Sequence, residues 1–399
     1  MNPSEEFNII EVKSKETRTE FLDFPSRIYK NEVKWSRPID LDVEAIFDPL
    51  KNKQLRNGEA IRWILKDSSG NTVGRIGAFY ERKEENDDDI DIGGVGFFDC
   101  INDINAASKL FDVGKEWLQS EGMVGMNGPV NLGMRDNFWG CLVDGFHEPV
   151  YNMPYNFPYY KELFEAYGFK NYFNQHTFLR QLNGDMIHPV IRRISVRILN
   201  NPDYEVRMIE KGNQRFARDF RIIYNQAWAG FSGIKEVTDE EAEGLLKEMT
   251  PIMDERLIYY TYYKGEPIAF FIMMPDIGQI LKRFNGKWNL WNKLRFMWHL
   301  KVNKSVDRVI ARIFGVVPEH QGKGVEGAMV LSFEKEVLKP EFKYKTLELN
   351  WIGDFNPVMM KVAGYIGCSI YKTHTTYRYL FDRNREFKRA PLVNMDNNK

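Results

Sequence analysis

Two segments half a chain apart share one layout. Leu163-Phe164-Glu165-Ala166-Tyr167-Gly168-Phe169 and Val362-Ala363-Gly364-Tyr365-Ile366-Gly367-Cys368 each close a helix on a glycine and pass into a strand. A glycine there lets the chain leave a helix in the left-handed conformation. Gly168 and Gly367 stand 199 residues apart (367 − 168) in a chain of 399. Such a period marks a duplicated domain, because solenoid repeats are shorter. The length also exceeds what one core usually covers. The sequence therefore predicts two domains of similar build.

Hydrophobic periodicity gives both halves the same order of elements. In the first, Phe7–Val12 reads as a strand, Lys15–Asn31 as a helix and Glu32–Asn57 as a long loop or short helices. Ala60–Lys66 and Thr72–Arg82 read as a hairpin about a polar turn. Lys83–Asp91, with Asp87-Asp88-Asp89, reads as a solvated loop without the spacing of a calcium loop. Ile92–Phe98 is a strand, Asn105–Gly122 a helix, Met123–Val130 a strand, Tyr159–Tyr167 a helix and Phe169–Leu182 a long strand or strand pair. Gly184–Asp203, with His188-Pro189 and Asn200-Asn201-Pro202, reads as a connector. The order then restarts with a strand at Tyr204–Glu210 and a helix at Asn213–Trp228. A helix capped at Thr238 leads to Met253, and Leu257–Met274 forms a hairpin. Arg308–Gly315 is a strand, Val325–Leu338 a helix, Tyr344–Trp351 a strand, Asn356–Gly364 a helix and Cys368–Phe381 the last strand.

The densest chemistry lies at Val316–Val330. A strand ends, a loop carries Gly322 and Gly324, and a helix begins at Val325. Unpaired N–H groups and the positive end of the dipole at such a helix start suit an anion, and the glycines let backbone approach it closely. The loop lacks the Gly-Lys-Ser/Thr end of a P-loop and fits the dinucleotide pattern only loosely. It resembles the pyrophosphate loop of the GNAT superfamily of acyl-CoA N-acyltransferases: a strand ending in Val-x-Pro-Glu, then Gln/Arg-x-x-Gly-x-Gly/Ala, then a helix. Val316-Val317-Pro318-Glu319 and Gln321–Val325 match it. Glu326 stands where that family has Gly or Ala, and its carboxylate opposes a pyrophosphate if it points inward. Asn356, with Met359 in place of Ala, resembles the family's Asn-x-x-Ala, and the two helix–glycine–strand segments resemble its Leu-Tyr-x-x-x-Gly-Phe ending.

The resemblance covers nearly all of residues 7–382, by motif in Arg308–Phe381 and by architecture alone in the first half. It implies an α/β (α+β) chain of two tandem GNAT-like domains, each a mixed, mostly antiparallel sheet flanked by helices. The domains expected are residues 1–185, a connector 186–203, residues 204–385 with a helical insertion 276–307, and a polar tail 386–399. The implied cosubstrate is acetyl-CoA or another acyl-CoA. The second domain would hold it through Val316, Val317, Gln321, Gly322, Lys323, Gly324, Val325 and Asn356. In the first half Asp99–Asn105 puts acidic and amide residues in place of the loop, so that domain is expected not to hold CoA in the family's way.

The implied reaction is N-acyl transfer, acetyl foremost, to an amine on a small molecule or peptide. The tyrosine that protonates the leaving sulfur in many relatives is Ala363 here. Tyr365 and Tyr371 are the candidate acids and Glu319 a candidate base; His320, Asp354 and His374 also lie near the motif. None is singled out by spacing, so the catalytic residues stay open. Tandem GNAT folds also serve aminoacyl-tRNA-dependent transfer, and a chain that kept the fold but lost the acid would only bind. Both alternatives stay open too.

Composition bounds the partners. A net charge of −1 implies no whole-chain attraction to nucleic acid or an anionic membrane, with tRNA a partner only under the aminoacyl alternative. Residues 276–307 depart from this balance: Lys282, Arg283, Lys287, Lys293, Arg295, Lys301 and Lys304 interleave with Phe284, Trp288, Trp291, Phe296 and Trp298. Such a mixture binds RNA, a membrane surface or a partner helix, or packs on its own domain with its cations solvated. The Gly-, Pro- and Asn-rich stretch 127–158, with its aromatics, is likewise a binding surface or a self-packed loop. Cys100, Cys141 and Cys368 are far apart and odd in number, which points to a reducing compartment. No metal-binding spacing of His or Cys occurs, so no metal is expected. Met1–Glu6 is unlike a secretory signal and no apolar run is long enough to span a bilayer, so the expectation is a cytoplasmic protein. The oligomeric state is not readable.

Overall fold

The computed structural model describes residues 7–82, 91–133, 137–184, 187–210, 212–213, 215–228 and 236–393. The acidic run Asp87-Asp88-Asp89, Met1–Glu6 and residues 394–399 of the tail lie outside them. The first half runs β1 (Asn8–Glu11), α1 (Lys15–Ile28), α2 (Asp40–Ile46), β2 (Gly58–Lys66), β3 (Thr72–Glu81), β4 (Ile92–Cys100), α3 (Ile104–Ser120), β5 (Gly125–Gly128), β6 (Cys141–Asp144), α4 (Tyr159–Tyr167) and β7 (Lys170–Gln181). Helix α5 (Pro189–Leu199) leads to β8 (Tyr204–Met208), α6 (Arg215–Trp228), α7 (Asp239–Met249), β9 (Ile258–Tyr263) and β10 (Glu266–Pro275). Then come α8 (Gly278–Leu281), α9 (Leu290–Lys301), β11 (Arg308–Val316), α10 (Val325–Val337), β12 (Thr346–Gly353), α11 (Pro357–Tyr365) and β13 (Ser369–Leu380).

Local rules account for most boundaries. Ser14 and Thr238 open α1 and α7 with capping boxes, and Asp103 caps α3 by accepting from the N–H groups of Asn105 and Ala106. Gly168, at φ +108°, turns α4 into β7. Two expectations shift, and a third, a connector with room for a short helix or strand, becomes specific. Helix α7 stops at Met249 rather than Met253, because Pro251 cannot continue it. Strand β5 is shorter than Met123–Val130, because Pro129 has no N–H for a ladder. The connector holds an eleven-residue helix, α5, with Pro189 in its first turn.

Among the described residues, thirteen strands form one sheet. Its order is β1-β2-β3-β4-β5-β13-β7-β12-β11-β10-β9-β8, with β6 beside β13. Only β4–β5 and β11–β12 run parallel; every other pairing is antiparallel. Read outward from the β13–β7 centre, the two sides have the same sequence of pairings. The last strand of each half has changed places: β13 pairs β5, and β7 pairs β12. Two predicted sheets are therefore one. The cores follow the exchange. Phe178 of β7 packs in the second half's core and Tyr377 of β13 in the first half's.

The centre of this sheet is polar. Gln175, Thr177, Lys372, His374, Thr375 and Thr376 are all buried. Lys372 on β13 reaches across β7 to place Nζ 2.6 Å from Glu348 Oε1 on β12. Arg308, opening β11, lies 2.6 Å from Asp276 just beyond β10 and 3.8 Å from Glu348. Burial pushes the Glu348 carboxyl up and the Lys372 ammonium down, each opposed by the other's charge. The remaining donors go to backbone: Arg308 to the carbonyls of Glu148 and Pro149, and Lys372 to that of Glu148. His374 donates from Nε2 to the Pro154 carbonyl at 2.9 Å. The 145–158 stretch is thus tied down onto the seam between the halves.

Breaking a buried ion pair from one side leaves an uncompensated charge. Lys372→Met should cost about 3–5 kcal/mol, whereas Lys372→Met with Glu348→Leu should recover much of that loss. Urea unfolding of both variants and of Glu348→Leu alone checks it; a double-variant loss equal to the sum of the two single losses would mean the charges are not coupled. A second test uses pH. Burial holds the His374 imidazole down at about 4 from its usual 6.5. The unfolded chain gains this proton near pH 6.5 and the folded chain only near 4. Stability is therefore full above about pH 6.5 and is lost as pH falls toward 4, by about 3 kcal/mol for this residue. His374→Gln should flatten that part of a stability–pH curve; an unchanged slope would assign it to carboxylates.

Candidate functional site

Each parallel strand pair is registered over a few residues and then parts. Strands β11 and β12 pair from Arg308/Thr346 to Ala311/Leu349; β4 and β5 pair only over Ile92–Gly94 and Gly125–Asn127. A register shift against β10, between Ile272 and Met273, falls where β11 leaves β12. In β4 the counterpart is Phe97, at φ +49°, with a register shift against β3. Bulges re-aim a strand and end its pairing. Where strands part, backbone groups of the ladder become available to a guest.

In the second half the parted strand leads into the glycine loop. Val316 and Val317 are buried, and the Gln321 side chain donates to the Val316 carbonyl at 2.9 Å, tying the loop to the strand end. Gly322 and Gly324 have φ of +70° and +97°, the conformation their lack of a side chain permits. The first helical bond of α10 runs from Ala328 N–H to Gly324 carbonyl. The N–H groups of Val325, Glu326 and Gly327 therefore lie outside the helical ladder. Lys323 is exposed. Two features narrow the loop. The Glu326 carboxylate accepts from Gly322 N–H at 3.2 Å, and α5 packs on α10 so that Ile194 faces Gly324 and Ser195 faces Gly327. The glycines and amides fit a diphosphate; the carboxylate must swing away first. At the equivalent place in the first half, Asp103 already occupies the amides of Asn105 and Ala106 at 2.7 and 3.1 Å.

The other sequence candidates are scattered. Asn356 caps α11 by accepting from Met359 N–H. Tyr365 is exposed at the end of α11, its carbonyl held by His188 N–H. Glu319 is exposed in a short turn, and His320 is buried against Tyr204. Tyr371 lies elsewhere, stacked flat on His147 with ring centres 4.2 Å apart. Burial, with Lys372 and Lys34 nearby, lowers the His147 imidazole below its ordinary value.

A cavity of about 110 Å³ opens at the first half's parted strands. Its lining includes Trp35, Phe97, Phe98, Phe138, Tyr151 and Tyr160. This is less than the ~150 Å³ that holds a benzene ring. Asp99 stands in its wall, accepting from Tyr29 at 2.9 Å and from Arg75 at 2.7 Å. Burial pushes the Asp99 carboxyl up against the pull of Arg75. Asn152 Oδ1, also in the lining loop, is buried without a partner among the described residues, which favours a ligand donor there. Sequence reasoning missed Asp276, Arg308, Glu348 and Lys372. The one signal for Glu348 was a carboxylate between Leu347 and Leu349 in an apolar strand.

No family model matches this chain. Protein YghO of Escherichia coli is 25% identical over 366 residues, covering 90% of this chain and 91% of that protein. The bacterial ceramide synthase of Caulobacter vibrioides is 22% identical over 386 residues, covering 93% and 97%. Among solved structures, a tandem GNAT protein from the clavulanic acid biosynthesis pathway superposes with TM-score 0.53 at 12% identity, over 95% of this chain and all of that one. A GCN5-related N-acetyltransferase from Sphaerobacter thermophilus gives 0.50 at 9% identity, over 96% and 98%. The chain has a tandem GNAT fold.

If the α10 loop holds a diphosphate, Glu326→Gly should tighten CoA binding at least about tenfold, by removing a like charge from its rim. Isothermal calorimetry reads this directly. Unchanged or weaker binding would place the cofactor elsewhere.

Proposed function

We propose that this tandem GNAT fold serves N-acyl transfer from a thioester to the primary amine of a lipid-like acceptor. The observation that carries the reading is the likeness to bacterial ceramide synthase along nearly the whole of both chains. A ceramide is a long-chain amino alcohol acylated on nitrogen. An apolar, aromatic cavity with polar groups at Asp99 and Asn152 suits one end of such an acceptor. The acetyl group foremost at the sequence level becomes the short end of a range of acyl chains.

In the reaction the amine nitrogen attacks the thioester carbon, the carbon–sulfur bond breaks, the amine loses a proton and the sulfur gains one. An acyl-CoA, when bound, supplies the activated carbonyl. Gln321, Gly322, Gly324 and the amides opening α10 are the residues that would hold its diphosphate. Backbone N–H groups where β11 leaves β12 would polarise the carbonyl. For the proton transfers we choose Tyr371, a candidate from the sequence, and His147, which the sequence did not single out but which stacks on the Tyr371 ring with its imidazole lowered by burial. Glu326 on the Gly322 amide and the buried Ala363 favour a second reading, a fold that binds an amine lipid without turnover.

Purified protein incubated with hexadecanoyl-CoA and a long-chain amino alcohol should release thiol and form one equivalent of amide, seen by mass spectrometry. His147→Gln and Tyr371→Phe should each slow turnover by about a hundredfold. Thiol release no faster than the blank, for acyl chains from acetyl to octadecanoyl, would sink the transferase reading. Acceptor binding without thiol release would establish the second one.

A further inference from the structure

Helix α9 turns apolar side chains to solvent. Leu290, Trp291 and Trp298 are 74%, 68% and 53% exposed, and Leu294 and Met297 are exposed beside them. At about 100° per residue these five side chains cover roughly a third of the helix circumference. The opposite side, with Asn292, Phe296, His299 and Leu300, is buried and fixes α9 to the protein. The helix is thus apolar on two sides, and only one packs against the described residues.

Charge frames the free side. By helical position, Lys293 and Arg295 flank the exposed arc on opposite edges, and Lys301 stands within it at the helix end. From Lys282 to Lys304 the chain has seven Lys and Arg and no Asp or Glu, in a protein of net charge −1. Lys282 and Lys287 pair with Glu148 and Asp40, whereas Lys293, Lys301 and Lys304 are exposed. Twelve residues make about 18 Å of helix, too short to cross a bilayer. Among the described residues no helix is long and apolar enough to do so.

We propose that α9 docks this protein on the surface of an anionic phospholipid bilayer. The helix lies in the interface, with Trp291 and Trp298 at headgroup depth and its cations against lipid phosphates. Tryptophan favours that zone, and each juxtamembrane cation adds attraction to an anionic leaflet. RNA would use the rings and cations but gain nothing from Leu290, Leu294 and Met297. A second copy of the chain would bring like charges together. Position supports the assignment. The same insertion borders the aromatic cavity through Gly278, and Gly286 and Lys287 abut Arg37 and Asp40, next to the cavity residues Trp35, Ser36 and Pro38. The inference stands on α9 and does not need the acyl-transfer reading.

The test is co-sedimentation of the full chain with large vesicles of phosphatidylcholine containing 30% phosphatidylglycerol (about a third anionic). The wild type should pellet with these vesicles, much less with pure phosphatidylcholine, and less again in 0.5 M (about fivefold physiological) salt. Trp291→Ser with Trp298→Ser should lower the partition coefficient at least about tenfold, and Lys293→Glu with Lys301→Glu likewise. All four side chains are exposed, so circular dichroism should show an unchanged fold. Protein left in the supernatant, equal binding to neutral vesicles, or undiminished binding by both variants would overturn the proposal. So would a lipid-free dimer, or a tRNA complex, that the tryptophan variant abolishes.

Discussion

Four charges buried at the centre of the sheet tie the first half's 145–158 stretch onto the second half. Asp276, Arg308, Glu348 and Lys372 come from the β10 end, β11, β12 and β13, so no element brings more than one of them. Their signs balance. In a low-dielectric interior each charge alone would cost several kcal/mol, and the attraction among them offsets that cost only while all stay in place. Their spare donors end on the carbonyls of Glu148 and Pro149. The loop that walls the aromatic cavity therefore rests on the same cluster that joins the halves. The cavity could not keep its shape if the halves separated.

The exchange of β7 and β13 explains why a duplicated sequence did not give two independent bodies. Each half supplies the strand that completes the other, so each core holds a residue from its neighbour, Phe178 in one and Tyr377 in the other. The order of elements was legible because periodicity and caps are local, as at Thr238 and Gly168. The exchange was not. Pairing β13 with β5 and pairing it with β12 would bury the same apolar faces, and no local pattern separates partners that far apart in sequence. The buried charges were hidden for the same reason. Lys372 lies in Tyr371-Lys372-Thr373, which reads as solvated edge until β7 and β12 are set beside it.

The glycine loop shows how far a motif reaches. Gln321, Gly322 and Gly324 could be read because backbone conformation and residue type are tightly linked at positive φ. Glu326 was visible as a departure, but its direction was not. A carboxylate in the first turn of a helix is drawn to free amides by the dipole, and the nearest one here is Gly322 N–H at 3.2 Å. An incoming diphosphate would compete for the same amide. In the first half the Asp103 side chain accepts from the amides of Asn105 and Ala106 at the start of α3. The two helix starts thus differ: at α3 the Asp103 side chain accepts from two first-turn amides, whereas at α10 the Glu326 carboxylate reaches back to Gly322 N–H.

The insertion 276–307 brings these strands of argument to one place. Its start, at Asp276, belongs to the buried cluster; its next residues border the cavity; its helix α9 carries the apolar arc. Its aromatics divide, since Phe284 and Phe296 pack inward while Trp291 and Trp298 face out. Helix periodicity allows both, because residues 291 and 298 share one side and 296 and 300 another. A surface on which α9 rested would meet the same insertion that borders the cavity through Gly278.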